Sequence, residues 1–355
     1  MKIGFDAHVL DGRFQGSRTV VTRLAQSLAL DEDLQVALYC HNELNLPGPL
    51  GRRQIPMSGS FKRLASILPK MVSEDGLDAL IYQYICAPWS KNSWVVIHDI
   101  LPITHPKLFS PRFVLRSAVL FTLTMLWSKR VLVVSDYTAR NVARIFPFLK
   151  DKVVVVKNGP SFPEETYFAQ HDRDVSLAKN TIGPRYILTV GRLEHRKNVS
   201  LLVEAYRLAG LTDVSLVVVG KAEPGQPPLP DLPGVIHVQD ADDARLVQLY
   251  AGASLFVYPS AAEGFGLPLL DAALFGIPTL SSNLTAMPEI GGDLAEYFDP
   301  SAPGAAETLG ARIRDHFADR PVKTPTLKAR QDHAEAFSWK RSGAVLAEAL
   351  RKSRR

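Results

Sequence analysis

Short runs of β-branched and aliphatic residues recur between longer amphipathic stretches along most of the chain, and no other feature constrains the fold as tightly. Strands that read as nearly continuous apolar runs are buried on both faces, the condition of a parallel sheet covered by helices. In the first half such runs fall at Lys2–Phe5, Val36–Cys40, Ala79–Tyr82, Trp94–His98, Val131–Ser135 and Val153–Lys157. Helical stretches such as Ser17–Leu30 and Tyr137–Phe146 separate them. The alternation restarts at Tyr186–Val190 and continues through Ser215–Val219, Val235–Val238, Leu255–Tyr258 and Thr279–Ser281. Periodic apolar positions are few between Asn158 and Pro184, which predicts a linker there. A chain of 355 residues also exceeds what one core usually fills. The expected fold class is therefore α/β, with domains over residues 1–165 and 166–336.

With 46% hydrophobic and 22% charged residues, the composition excludes a disordered, collagenous or disulfide-framed chain. Cys40 and Cys86 lie beside strand-like sequence without metal-ligand spacing and read as buried free thiols of a reducing compartment. The N-terminal MKIGFDAHVL reads directly as a strand, without the regions of a secretory signal, so a cytoplasmic location is expected. The uncharged stretch Ser117–Ser128 is too short for the roughly 20 residues that span a bilayer. A net charge of +5 points to an anionic partner. Nucleic acid is not expected, because no basic patch with interleaved aromatics appears. No fixed-period repeat is present, and the proline-rich Pro224–Pro233 reads as a loop.

The most informative segment is Tyr258–Pro278, YPSAAEGFGLPLLDAALFGIP: a strand end, a glycine-rich loop, then a helix with Pro268 in its first turn. The backbone N–H groups near Gly264, Phe265, Gly266 and Leu267 then form an anion site that phosphate can approach closely. Glu263 and Asp271 flank that site, and a carboxylate accepts hydrogen bonds from adjacent sugar hydroxyls. A second segment, Val190–Tyr206, reads VGRLEHRKNVSLLVEAY, where Gly191 turns the chain at a strand end and a helix follows. Arg192 and Lys197 stand on this turn, at the carboxyl end of a parallel strand, where open α/β sheets bind ligands. Two cations there can neutralise a diphosphate and stabilise a leaving nucleotide.

GRLEHRKN with LLVEAY, then LYAGASLFVYPSAAEGFGLPLLDAALFGIPTLSSN and MPEIGGDLAEYFDP, closely resemble the retaining glycosyltransferases of family 4, the group 1 glycosyltransferases. The resemblance is fainter but legible through MKIGFDAHVL, Gly16, IHDILPITHPKLF and VLVVSDYTARNVARIFP. It implies the GT-B fold, two Rossmann-like domains facing a central cleft. It places Glu263 and Asp271 in the family's two acidic positions, with aspartate where glutamate is usual, and Arg192 and Lys197 in its diphosphate-binding pair. His98 resembles the active-site histidine beside the donor sugar. Gly16 resembles the first-domain glycine of the donor site, with Ser17 and Arg18 in place of further glycine. Residues 337–355 resemble the last helix, which returns to complete the first domain, and Trp339 reads as its packing anchor.

The implied activity is transfer of a hexose with retention of configuration from a nucleotide sugar, GDP-mannose by preference, to a glycan or lipid-linked oligosaccharide. The implied roles are catalytic for His98, Glu263, Arg192 and Lys197, and donor-binding for Gly16, Gly191, Gly264, Phe265, Gly266, Leu267 and Asp271 together with Arg192, Lys197 and Glu263. Neither metal nor cofactor is expected, with Arg192, Lys197 and the helix terminus serving the diphosphate instead. A nucleotide-sugar epimerase and a non-catalytic binding scaffold are the competing readings. Finally, Lys107–Arg130 is an apolar segment with basic ends. It fits peripheral contact with an anionic membrane, or a helix packed on a sheet.

Overall fold

Two parallel sheets carry the chain. The computed structural model describes residues 1–11, 16–42, 50–88, 92–168, 181–223, 228–318 and 320–354. Part of the expected linker, residues 169–180, and the start of the proline-rich loop, 224–227, lie outside the described residues.

The first sheet comprises β1 (Lys2–Asp6), β2 (Gln35–Cys40), β3 (Gly51–Gln54), β4 (Ala79–Gln83), β5 (Ser93–Ile97), β6 (Arg130–Val133) and β7 (Val153–Val155), in the order β3-β2-β1-β4-β5-β6-β7. The second comprises β8 (Tyr186–Val190), β9 (Ser215–Val219), β10 (Val235–Val238), β11 (Leu255–Tyr258), β12 (Thr279–Ser282) and β13 (Glu296–Phe298), in the order β10-β9-β8-β11-β12-β13. All pairings are parallel. Central strands such as β4 and β5 are buried at every position, which explains their unbroken apolar sequence. Two of the edge strands, β3 and β13, were not expected. The sequence of β3, GRRQ, is exposed throughout and carries no hydrophobic signal, and β13 has only three residues.

Caps set several helix ends. Ser135 accepts a hydrogen bond from the Thr138 N–H and starts the helix Asp136–Ile145, whereas left-handed Gly210 stops Val199–Ala209. The helix Pro111–Trp127 packs Ser117, Phe121, Thr124 and Met125 inward. Among the described residues no helix is long and apolar enough to cross a membrane. Both cysteines are buried free thiols, and burial pushes the Cys86 thiol up to about 12.

The chain divides into two compact units, Met1–Gly159 with Glu335–Arg355, and Pro160–Ala334. Residues 160–165, which the sequence assigned to the first domain, go with the second because Ser161 N–H donates to Asp271 at 2.9 Å and Phe162 packs on Tyr167. The helix Trp339–Arg354 belongs to the first unit: Ser27 Oγ donates to the Trp339 carbonyl at 2.6 Å, and Leu346 is fully buried. The strand order reverses between β1 and β4 in one sheet and between β8 and β11 in the other. At such reversals the loops leaving the carboxyl ends diverge and open a ligand crevice.

Candidate active site

In the second unit that crevice is built from the turn after β8 and the loop after β11. The turn is possible because Gly220, at the end of neighbouring β9, has no side chain: a Cβ there would stand 2.1 Å from the Gly191 carbonyl oxygen. Its φ of 137° is itself a conformation that favours glycine. Gly191 N–H donates to Val219 O at 2.9 Å, and a short 3-10 turn, His195–Lys197, then brings Arg196 and Lys197 over the strand ends.

There both cations meet Glu263. Lys197 Nζ donates to Glu263 Oε1 at 2.6 Å and Arg196 Nη1 to Oε2 at 2.7 Å. The Tyr258 hydroxyl donates to Oε1 at 2.9 Å and accepts from Lys197 Nζ at 3.0 Å. Two further bonds lock the segments together: Ala261 N–H donates to Arg196 O at 2.8 Å, and the Arg196 side chain donates from Nη1 to Ala262 O at 3.1 Å. Thr285 Oγ1 accepts from Glu263 N–H at 2.9 Å. Glu263 is only 6% exposed. Burial alone would raise its pKa, yet the Arg196 and Lys197 charges outweigh burial and hold the carboxyl well below the usual range. Burial is likewise the largest influence on Lys197 and lowers its pKa, against the attraction of Glu263. Glu194 also pairs with Arg196, at 2.8 Å.

The glycine loop follows directly. Gly264, Phe265 and Gly266 are buried, and Gly266 adopts φ 109° as the cap of the helix Leu267–Phe275. No side chain caps that helix, so its first N–H groups turn to the backbone or to an external acceptor. Pro268 in the first turn contributes none, and those of Leu269 and Leu270 turn back onto Gly266 O, which leaves the backbone at Gly266 and Leu267 as the donor edge.

Two expected residues are placed differently from their expected roles. Arg192 does not join Lys197: its guanidinium pairs with Glu223, and its side chain is 39% exposed. The cation that shares Glu263 with Lys197 is instead Arg196, which the sequence reading passed over although it precedes Lys197 directly. Asp271, expected against a ribose, is 2% exposed, and its Oδ1 accepts from the Tyr167 hydroxyl at 2.6 Å and from Ser161 N–H at 2.9 Å. With one methylene fewer than glutamate, the carboxyl stays inside the unit. Phe265, expected to offer its backbone N–H, has its side chain in the core at 5% exposure, which leaves that expectation as it stood. Tyr167 gave no signal, since it lies 104 residues from Asp271 and no spacing relates the two.

In the first unit His98 follows β5, where its Nε2 donates to Gln83 Oε1 at 2.8 Å and its ring stands 4.9 Å from that of Tyr84. Burial pushes its pKa down to about 4, so the ring is neutral at pH 7. Gly16 is the exposed first residue of the helix Gly16–Leu28, and the residues before it, 12–15, lie outside the described residues.

Residues 172–323 match the family described as glycosyl transferases group 1, so the second unit carries a group 1 glycosyltransferase domain. The chain resembles O-antigen chain mannosyltransferase B of Escherichia coli, with 29% identity over 222 residues, 60% of this chain and 58% of that protein. The match thus spans little more than half of that relative's length. Sucrose-phosphate synthase from Thermosynechococcus elongatus shares the fold with a TM-score of 0.77 and 19% identity, over 99% of this chain and 98% of its own. Anabaena Alr3699/HepE, solved in complex with UDP-glucose, does so with a TM-score of 0.70 and 18% identity, over 99% and 100%. The architecture is that of the GT-B glycosyltransferases.

The buried Asp271 predicts a pH effect. Burial pushes its carboxyl up to about 6, above the value of about 3.9 for an unfolded chain. The folded state therefore holds the extra proton between those values, and this stabilisation is complete below about pH 4 and lost as pH rises through about 6. Asp271→Asn, which cannot titrate, should gain about 3 kcal/mol over the parent chain between pH 4 and pH 7.5 in urea unfolding. An equal difference between the two chains at both pH values would contradict the assignment.

Proposed function

We propose that the protein is a retaining, metal-independent glycosyltransferase that moves a hexose from a nucleotide sugar to a glycan or lipid-linked oligosaccharide acceptor. The observation that carries this reading is the Glu263–Arg196–Lys197 cluster beside an uncapped helix N-terminus, at the reversal of the second sheet. A nucleoside diphosphate fits such a seat. The helix terminus and Lys197 meet its phosphates, and the charge that develops on the departing diphosphate is stabilised by cations already in place. Because the chain itself supplies these cations, the reading needs no divalent ion. Arg192 lies on the same turn and can exchange Glu223 for phosphate.

In this reading the first unit takes the acceptor, and His98 offers a neutral polar group at the carboxyl end of β5. Asp271 holds the helix Leu267–Phe275 from behind. Mannose from GDP-mannose is the favoured donor, supported by the similarity to an O-antigen mannosyltransferase. Incubation with a panel of nucleotide sugars, followed by product analysis, separates transfer from isomerised donor and from binding without turnover. Lys197→Ala should lower kcat/KM roughly 10- to 150-fold, the value of one lost charge-assisted contact of about 1.5 to 3 kcal/mol. Turnover should be unaffected by a chelator. Parental kinetics in the variant, or loss of activity on chelation, would overturn the site or its metal independence respectively.

The helix Pro111–Trp127 carries the second part of the proposal, attachment at the cytoplasmic face of a membrane. While its inner face packs, Leu115 is 69%, Val119 50% and Leu126 43% exposed, beside Arg112 and Arg116. An apolar outer face with basic neighbours can lie in anionic headgroups, each cation contributing about 1 kcal/mol. Co-sedimentation with anionic vesicles should be strong at low salt and fall steeply by roughly 0.5 M, where charges are screened over only a few ångströms. No binding at low salt, or binding indifferent to salt, would refute this attachment.

A further inference from the structure

The end of β4 has no place in the chemistry described so far, yet its backbone is unusual. Ile85 N–H donates to Gln83 O at 2.7 Å, which closes a three-residue turn around Tyr84. Tyr84 has φ 61°. A γ-turn with a positive φ at its centre is strained, and for a bulky residue such a φ is an outlier that glycine would occupy at no cost. Strain of this kind persists only where surrounding contacts over-determine it, and it gathers at functional sites. Here the contacts are evident. The Tyr84 ring stands 4.9 Å from the His98 ring and stacks on Phe121 at 6.2 Å, while Gln83, 4% exposed, accepts from His98 Nε2.

We propose that Gln83 and Tyr84 are positioning residues that fix the orientation and tautomer of His98. An amide oxygen only accepts, so the Gln83 contact requires the proton on Nε2 and leaves Nδ1 as an acceptor. Burial keeps the ring from taking a second proton in the neutral range. Among the described residues, those that pack on it are uncharged: Gln83 and Tyr84 from the exit of β4, with Phe121 from the helix Pro111–Trp127 stacked on Tyr84. The neighbouring Asp99 is turned to Leu101 N–H, from which its Oδ1 accepts at 3.0 Å. His98 is thus presented as a neutral acceptor suited to a sugar hydroxyl, in contrast to the cationic seat of the second unit. The inference rests on the transferase reading for the use of that acceptor, but not for the geometry that fixes it.

The test is Gln83→Glu, which leaves the shape and replaces the amide by a carboxylate. An adjacent negative charge favours imidazolium and moves a histidine pKa by one to three units. In ring ¹⁵N NMR of the full chain, His98 should be the Nε2–H tautomer in the parent and show no titration from pH 5 to 9. In Gln83→Glu its midpoint should rise by more than one unit, and in Gln83→Leu the single tautomer should be lost. In turnover, Gln83→Glu should add an acid limb to the pH profile of kcat/KM. Gln83→Leu should lower kcat about tenfold or more at pH 7.5 with unchanged affinity for a nucleoside diphosphate. An unshifted His98 midpoint in Gln83→Glu, or the parental tautomer in Gln83→Leu, overturns the proposal. Absence of transfer by the parent chain on every nucleotide sugar would instead overturn the transferase reading, and the NMR result on Gln83 would still stand.

Discussion

Glu263 holds a negative charge where almost no water reaches it, and the second unit is organised around making that tolerable. An isolated buried carboxylate costs several kcal/mol and would take up a proton instead. Arg196, Lys197 and the Tyr258 hydroxyl prevent this by surrounding both oxygens. These partners come from the turn after β8 and from β11 itself, strands that are neighbours where the sheet order reverses. The ion cluster therefore fixes the relative position of the two segments that line the crevice. It also holds two cations beside the helix terminus at Leu267, so the interaction that keeps the loop in place also shapes the proposed phosphate seat. Removing one partner of such a cluster leaves a charge unpaired and typically costs about 3 to 5 kcal/mol.

The first unit follows the same topological rule with different chemistry. At the reversal between β1 and β4, Asp6 is fully buried, faces His8 Nδ1 at 3.1 Å and lies 3.5 Å from the Arg63 guanidinium, while β4 ends in Gln83. The strand ends of one unit thus carry an ion cluster and those of the other a set of balanced, largely neutral polar groups.

Much of this was legible in the sequence, because buried parallel strands cannot hide their apolar runs and a glycine loop before a proline-led helix has few other uses. Among the described residues, eleven of the thirteen strands could be placed from such runs. β3 could not, because an exposed edge strand of Gly51, Arg52, Arg53 and Gln54 needs only a neighbour to pair with, and pairing leaves no trace in composition. At the site, Glu263 and Lys197 stood out by position, whereas Arg196 owes its place to the turn that brings it onto Glu263. Asp271 illustrates the reverse. Its place in the motif pointed outward to a ribose, but its partners Tyr167 and Ser161 are set by tertiary packing more than a hundred residues away in sequence. Gln83 and Tyr84 were invisible for the same reason, since a strained turn and a ring contact require coordinates.

The protonation of Glu263 tests the central interaction most directly. Following its side-chain carboxyl by ¹³C NMR as pH is lowered should show it ionised well below about pH 4.3, the ordinary glutamate midpoint. The midpoint should move upward in Lys197→Ala, because one of the two charges that hold the carboxylate ionised is gone. A midpoint at or above about 4.3 in the parent chain would contradict the arrangement, since Arg196 and Lys197 could not then be paired with a buried carboxylate.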